Sequence, residues 1–382
     1  MADFRFHVPA DCFIGQDAVY KLPLVLEHGP SRAILVADPH IADSGITSKL
    51  ATILEGRGMQ IITFDDMADR PTSSVVDDAL SLARGARAPL VIGLGGIKAL
   101  HVAKAVAALA PGDSGADDWL DGNAPVRPPL PLALVPTSYR DPFLLSGALV
   151  LTDSRSGNAV HLQAVRGVES AVIMDANAFA GMSMKSAAVA MLDGLMASME
   201  GYASGRDSFV SDMALKDAVG LYVRALDMTI ARPEDPAARV EASRACFLAG
   251  LGLAAAAPGL GTAVSYAINA RWGMPKGNVA AVVLPYLFES LSRSRPEKMA
   301  ALAPAFCEIA PDEPAAGAAA RAIEALRTRL GVLRIPSRLK DFDLELERLV
   351  ETAEAARRFD FMNFLPRTMT VDDVFDFIKT VY

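Results

Sequence analysis

Pro89-Leu-Val-Ile-Gly-Leu-Gly-Gly-Ile-Lys-Ala-Leu-His-Val-Ala-Lys104 is the stretch on which the fold turns. Its first six residues, to Leu94, are a short apolar run, as expected of a strand buried on both faces. Gly95 and Gly96 break the run, and from Ala99 to Leu109 the apolar positions recur at helical spacing. The same alternation extends on both sides. Ala33-Ile-Leu-Val-Ala-Asp38 reads as a strand ending in an acid, Ile46 to Leu54 as a helix and Gln60 to Phe64 as a second strand. Val75 to Ala83 reads as a helix, and Leu132 to Val135 as a further strand stopped by Pro136. The segments 148–152 and 159–163, joined through Ser156-Gly157, read as a hairpin. Strands alternating with helices imply a parallel sheet covered by helices.

Beyond about Asp175 the texture changes to long runs rich in Ala, Met and Leu. Helical periodicity runs over 186–203, 213–226, 240–257, 278–291, 314–330 and 372–382. The expected architecture is an α/β nucleotide-binding-type domain over residues 1–178, followed by an all-helical domain over 179–382. No internal repeat is present. Between Arg244 and Arg271 no residue is charged, a length sufficient for a bilayer. Pro258 and the polar Thr262, Ser265, Tyr266 and Asn269 interrupt that stretch, so a buried helix pair breaking near Pro258-Gly259 is the expectation.

A chain of 382 residues suits two domains, and 52% hydrophobic residues with no low-complexity tract exclude disorder. The charge, 37 − 45 = −8, and the lack of a basic cluster argue against nucleic acid as a partner. Cys12, Cys246 and Cys307 are odd in number and far apart. That spacing fits buried thiols in a reducing compartment rather than a disulfide framework or thiolate zinc site. The opening Met-Ala-Asp-Phe-Arg-Phe-His7 lacks the apolar core of a secretory leader, so a cytoplasmic location is expected, with no membrane partner. All five histidines stand at or before His161, so imidazole chemistry from the second half of the chain is excluded.

Chemistry has two candidate locations. Gly93-Leu-Gly-Gly-Ile-Lys98 is either a phosphate-cradling turn before a helix or simply a tight turn that needs glycine. Asp38, ending the earlier strand, is either a ligand for a ribose hydroxyl or a cap. In the helical half, Asp193 and Glu200 lie two turns apart on one helix face within an apolar run. A carboxylate in such a setting takes a cationic partner or a raised pKa. Lys276 in Pro275-Lys-Gly277 is a cation at a helix break, with Tyr266 and Arg271 on the preceding segment.

Together these segments resemble the iron-containing (group III) alcohol dehydrogenase family, related to glycerol dehydrogenase and dehydroquinate synthase. The likeness runs nearly the full length. Phe13-Ile-Gly15, Leu35-Val-Ala-Asp38 and Val91-Ile-Gly-Leu-Gly-Gly96 with Ala103-Lys104 match its nucleotide-domain landmarks, and Pro136-Thr137 starts its second nucleotide motif. Asp193-Gly-Leu, Glu200-Gly-Tyr, Pro275-x-Gly277 and Pro366-Arg367-x-x-Thr370 match its helical-domain motifs. The resemblance implies the dehydroquinate synthase-like fold and NAD or NADP as cofactor, bound through Asp38, Gly95, Gly96, Lys98, Thr137 and Ser138. It implies a small-molecule substrate and a homo-oligomer.

The family usually holds a divalent metal with one Asp and three His. Those positions carry Asp193, Ala197, Thr262 and Lys276 here, and a further family histidine near the substrate is Tyr266. No metal is expected, because iron or zinc needs about three or four good donors. The glycine motifs also differ. Ile97, Lys98 and His101 replace a glycine, a serine and an acid, and Tyr139-Arg-Asp-Pro-Phe-Leu144 replaces the glycines and acid of the second loop. One reading is a metal-independent NAD(P)-linked oxidoreductase in which Lys276 replaces the metal, Asp193 orients it and Tyr266 donates the proton. A second is a catalytically inactive homologue serving as a ligand-binding or partner subunit. A third is another reaction on an anionic ligand, phosphorylated or carboxylated, held by Lys98, Arg140 and Lys276.

Overall fold

The computed structural model describes residues 6–26, 31–67, 70–164, 171–342, 344–346 and 349–382. Of the opening segment read above for a leader, only Phe6 and His7 are among them, and His28 also lies outside the described residues. The chain divides into two compact units, Val8–Met182 and Ser183–Tyr382, the latter with Phe6 and His7.

The first unit is an α/β layer structure. Its strands are β1 (Asp11–Gly15), β2 (Arg32–Ala37), β3 (Gln60–Phe64), β4 (Val91–Gly95), β5 (Leu132–Pro136), β6 (Ala148–Thr152), β7 (Ala159–Gln163) and β8 (Ala171–Asp175). Its helices are α1 (Leu22–Val25), α2 (Ile46–Glu55), α3 (Ser73–Ala86), α4 (Ile97–Leu109) and α5 (Ala116–Leu120). Six strands form one parallel sheet in the order β1-β8-β5-β4-β2-β3, and β6-β7 form a separate antiparallel hairpin. The chain builds outward from β2 to β3, then returns past β2 to lay down β4 and β5. The strand order therefore reverses between β2 and β4, where ligands bind in open α/β sheets.

Register then decides what meets at that switch point. Ala37 pairs with Leu94 and Gly95 with Pro136, so β2, β4 and β5 end level with one another. The ladder runs on past the strand ends, with Asp38 N–H donating to Leu94 O at 2.9 Å and Thr137 N–H to Gly95 O at 2.8 Å. Asp38, Gly96 and Thr137 thus leave the sheet at one edge. Glycine lets α4 lie directly on β4: a Cβ on Gly93 would sit 2.7 Å from the Ala103 Cβ. Every residue of α4 except Lys98 is buried, because the sheet covers one side while α3 and the β6–β7 hairpin cover others. That explains a helix nearly without a polar face.

The expected strands at 33–38, 60–64, 89–94 and 132–135 are all present within a few residues. Two further sheet strands, β1 and β8, have no clear pattern of their own. β1 is a partly exposed edge strand, and β8 is too short an apolar run for periodicity to separate strand from helix.

The second unit is helical: α6 (Met184–Ala203), α7 (Phe209–Ala231), α8 (Pro236–Leu253), α9 (Leu260–Trp272), α10 (Lys276–Ser294), α11 (Pro296–Leu302), α12 (Ala315–Val332), α13 (Leu349–Arg357) and α14 (Val371–Val381). Ser183 caps α6 by accepting from Ser186 N–H, and from Ala188 onward every residue of α6 is buried. The uncharged stretch resolves into the end of α8 and α9 up to Ala270, broken around Pro258-Gly259. Among the described residues, no helix is long and apolar enough to cross a membrane. The Pro366-Arg367-x-x-Thr370 segment closes the unit: Gly205 N–H donates to Phe364 O at 2.7 Å, and Thr370 caps α14 in a capping box with Asp373. Cys246 is buried, whereas Cys12 and Cys307 are only half-buried, against the expectation of three core thiols.

Candidate active site and cofactor turn

At the end of β4 the backbone turns through Gly95 with φ of +149°. A Cβ at Gly95 would lie 2.7 Å from the Asp38 Cβ and 2.8 Å from the Ala99 Cβ, so only glycine fits there. Gly96, the N-cap of α4, has an extended backbone, and no side chain caps that helix end. The first N–H groups of α4 are therefore left for a ligand or solvent. A Cβ at Gly96 would meet only Ser138 Oγ at 3.7 Å and Asp38 Oδ2 at 3.8 Å, so both side chains border the turn. Ser138 is 7% exposed and its hydroxyl has no hydrogen-bond partner in the protein. Lys98 Nζ lies 3.7 Å from Asp38 Oδ1. Ile97 is buried, so its branched side chain is covered by protein rather than standing out over the turn. Asp38, Gly95, Gly96, Lys98, Thr137 and Ser138 are thus brought together around one helix N-terminus.

His101, which stands where the resembled motif has an acid, is fully buried within α4. Its Nδ1 lies 3.1 Å from both Val150 N and Val150 O, and its Nε2 lies 3.3 Å from Asp141 Oδ1. Burial pushes the Asp141 carboxyl up, but the charge and hydrogen bond of His101, Lys104 nearby and the Phe143 N–H outweigh it. The result is a pKa of about 2. Lys104, fully buried, donates to Phe143 O, Ser146 O and Ala148 O at 2.6, 2.7 and 3.2 Å. His101 and Lys104 therefore pin the loop that carries Thr137 and Ser138. Asp141 is a residue that sequence reasoning missed. Its signal was a histidine where the resembled motif has an acid, with a new acid in the facing loop.

In the helical unit, Gly273 at φ +70° ends α9, and Asn269 Nδ2 donates to Met274 O at 2.8 Å, fixing the turn that places Lys276 as the first residue of α10. A cation there opposes the helix dipole. Asp193, fully buried on α6, compensates: Lys276 Nζ donates to Asp193 Oδ1 at 2.5 Å, and Lys276 is 4% exposed. The same ammonium lies 4.7 Å from the centre of the Tyr266 ring, against its face. Lys276, Asp193 and Tyr266 thus form one cluster. Tyr222, not singled out in the sequence, is hydrogen-bonded to Cys246 and feels the Asp193 charge. Burial pushes the Tyr222 phenol well above its ordinary value, and Cys246 and the Asp193 carboxylate add to the effect.

Glu200 takes the other outcome open to a carboxylate in an apolar run. It accepts from Gly259 N–H at 2.9 Å, Gly261 N–H at 2.5 Å, Thr262 N–H at 3.3 Å and Thr262 Oγ1–H at 2.6 Å. It therefore caps α9, which otherwise begins at glycine with no side-chain cap of its own. Burial raises its pKa, and the hydrogen bonds from Thr262, Gly259 and Gly261 offset only part of the rise.

The four positions at which the resembled family holds its metal do not fit one here. Ala197 has no donor atom, the Thr262 hydroxyl donates to Glu200, and Lys276 brings a positive charge onto the single carboxylate, Asp193. Iron or zinc asks for about three or four ligands. Among the described residues, no three His, Cys, Asp or Glu side chains gather as a metal site. The turn at Gly95–Gly96 does fit a dinucleotide phosphate: open amides and an unpartnered buried hydroxyl converge on it.

Two family models cover the chain. Residues 9–176 match the model described as iron-containing alcohol dehydrogenase, and residues 173–382 match the C-terminal part of the Fe-containing alcohol dehydrogenase family. Long-chain-alcohol dehydrogenase 1 of Geobacillus thermodenitrificans is 26% identical over 373 residues, 96% of this chain and 94% of that protein. The crystal structure of 1,3-propanediol oxidoreductase superposes with a TM-score of 0.93 at 23% identity over 100% of both chains. Sulfoacetaldehyde reductase from Bifidobacterium kashiwanohense, solved in complex with NAD+, gives a TM-score of 0.86 at 20% identity over 100% of this chain and 99% of that one.

Proposed function

The chain belongs to the iron-containing alcohol dehydrogenase family, and from that premise we propose that it is a metal-independent, NAD(P)-linked oxidoreductase of small alcohols, aldehydes or ketones. The observation that supports metal independence is the buried Lys276–Asp193 pair where the family's ligands would stand. When bound, the nicotinamide gives or takes the hydride. The protein's part is electrostatic. Lys276 directs its ammonium at the substrate oxygen, where negative charge grows as hydride adds to the carbonyl carbon and the C=O π pair moves onto oxygen. Asp193 holds the ammonium in place. Tyr266 delivers the proton that converts alkoxide to alcohol, and takes it back in the oxidative direction. An ammonium is a weaker electrophile than a dication, so turnover is slow. A homo-oligomer in the cytoplasm, with a small-molecule substrate and no nucleic-acid or membrane partner, completes the proposal.

The test is NAD(P)H oxidation by purified protein of measured metal content against a panel of short aldehydes and ketones. Lys276→Ala should lower kcat by about a hundredfold to a thousandfold, as loss of an oxyanion donor does, and Tyr266→Phe should lower it as well. Retention of full activity in both variants refutes these roles. No turnover on any carbonyl returns the chain to the non-catalytic reading.

A further inference from the structure

We propose that Lys98 adapts the ribose corner of the cofactor turn to a 2′-phosphate, so that a phosphorylated dinucleotide is bound at least as well as an unphosphorylated one. This rests on the dinucleotide reading above and names the cofactor form it takes. At the reversal point of such sheets, an acid ending the neighbouring strand accepts the ribose hydroxyls and repels a phosphate, whereas a nearby cation accommodates it. Here both are present. Asp38 ends β2 directly beside Gly95, and Lys98 reaches back from the first turn of α4 to within 3.7 Å of Asp38 Oδ1. The two side chains are only 13% and 12% exposed, so each strongly offsets the other's charge. Asp38 Oδ1 also accepts from the His40 N–H at 3.2 Å. The acid is therefore already partly committed, and the pair together carries no net charge against an incoming phosphate.

Two more features make this corner a place for an anion. The N-terminus of α4 has no side-chain cap, and α4 is 13 residues long. Ser138, 93% buried by its 7% exposure, holds an unpartnered hydroxyl 3.7 Å from where a Gly96 Cβ would stand. The dinucleotide's own phosphates meet the open amides and Ser138, which leaves the ammonium of Lys98 for the ribose phosphate.

Calorimetric titration of the full-length protein with 5′-AMP and with 2′,5′-ADP (adenosine 2′,5′-bisphosphate) isolates the effect, since these probes differ only in the 2′-phosphate and lack nicotinamide. NADH and NADPH are titrated alongside. The wild type should bind 2′,5′-ADP at least as tightly as 5′-AMP. Lys98→Gln should weaken 2′,5′-ADP about tenfold to a hundredfold, the range for a lost charge-assisted hydrogen bond, and leave 5′-AMP within about threefold. Lys98→Arg should retain the preference. Asp38→Asn, which removes the acid instead of the cation, should raise the preference and guards against a misfolded Lys98→Gln protein. The inference is overturned if 5′-AMP binds while 2′,5′-ADP is about tenfold weaker, or if Lys98→Gln weakens both probes equally. Failure of all four ligands to bind overturns the dinucleotide reading itself, a result distinct from a wrong preference.

Discussion

Removing one member of the Lys276–Asp193 pair should cost far more than removing both. Lys276 and Asp193 are 4% and 0% exposed, so neither charge can turn to water when its partner is lost. Breaking a buried ion pair costs about 3–5 kcal/mol, whereas replacing the whole pair by neutral groups of similar size is close to neutral. Lys276 at the start of α10 adds to the asymmetry, because without Asp193 its charge faces the positive end of the helix dipole. Asp193→Asn and Lys276→Met should each lower stability by about 3–5 kcal/mol. The double variant should stay within about 1 kcal/mol of wild type, which is a coupling energy of several kcal/mol. Urea unfolding read by Trp272 fluorescence in a Trp119→Phe background reports on the helical unit, since these are the two tryptophans of the chain. The coupling should be insensitive to salt, as a pair closed to solvent is weakly screened. Single variants whose effects simply add, or that leave the midpoint unchanged, would refute the reasoning.

Three more expectations concern the surrounding frame. Gly95→Ala should cost about 1–3 kcal/mol through its overlap with Asp38 and Ala99, while Gly96→Ala, whose Cβ would only touch Ser138 and Asp38 at ordinary contact distance, should unfold within about 0.5 kcal/mol of wild type; paired urea titrations decide. Asp141 has a pKa depressed to about 2 by His101, so its contribution is fully present above the ordinary carboxylate range and is lost as pH falls from about 4 toward 2. That contribution is on the order of 2 kcal/mol, and acid titrations should show Asp141→Asn less steeply destabilised than wild type across that window. Glu200→Gln keeps one acceptor and turns an NH2 group toward backbone donors at the start of α9, so it should cost about 1–3 kcal/mol in thermal or urea unfolding. An unchanged melting profile would show that Glu200 does not cap that helix.

The sheet was legible wherever a strand is buried on both faces, because β2, β4 and β5 read as unbroken apolar runs. β1 and β8 were not, since an edge strand and a five-residue run leave periodicity nothing to measure. The glycine turn before α4 was legible from Gly95 and Gly96, yet the commitment of Asp38 to Lys98 was not, because it depends on the β2–β4 register that sets them level. Asp193 and Lys276 were each visible as a charge in an apolar setting. What the sequence withheld was the role of Glu200: its spacing from Asp193 suggested a shared site, whereas its carboxylate is spent on the amides at 259–262, which lie far along the chain. Asp141 was hidden for the same reason, its partner His101 standing 40 residues earlier.

On the proposed mechanism, an ammonium does the work that a metal does elsewhere in the family. The most direct measurement is the initial rate of NADPH-dependent aldehyde reduction by chelator-stripped protein, followed as Fe2+ or Zn2+ is added back. A rate that is already present in the stripped protein, flat across the titration and abolished by Lys276→Ala is the predicted result. Activity that appears only with the metal and survives in Lys276→Ala would contradict it.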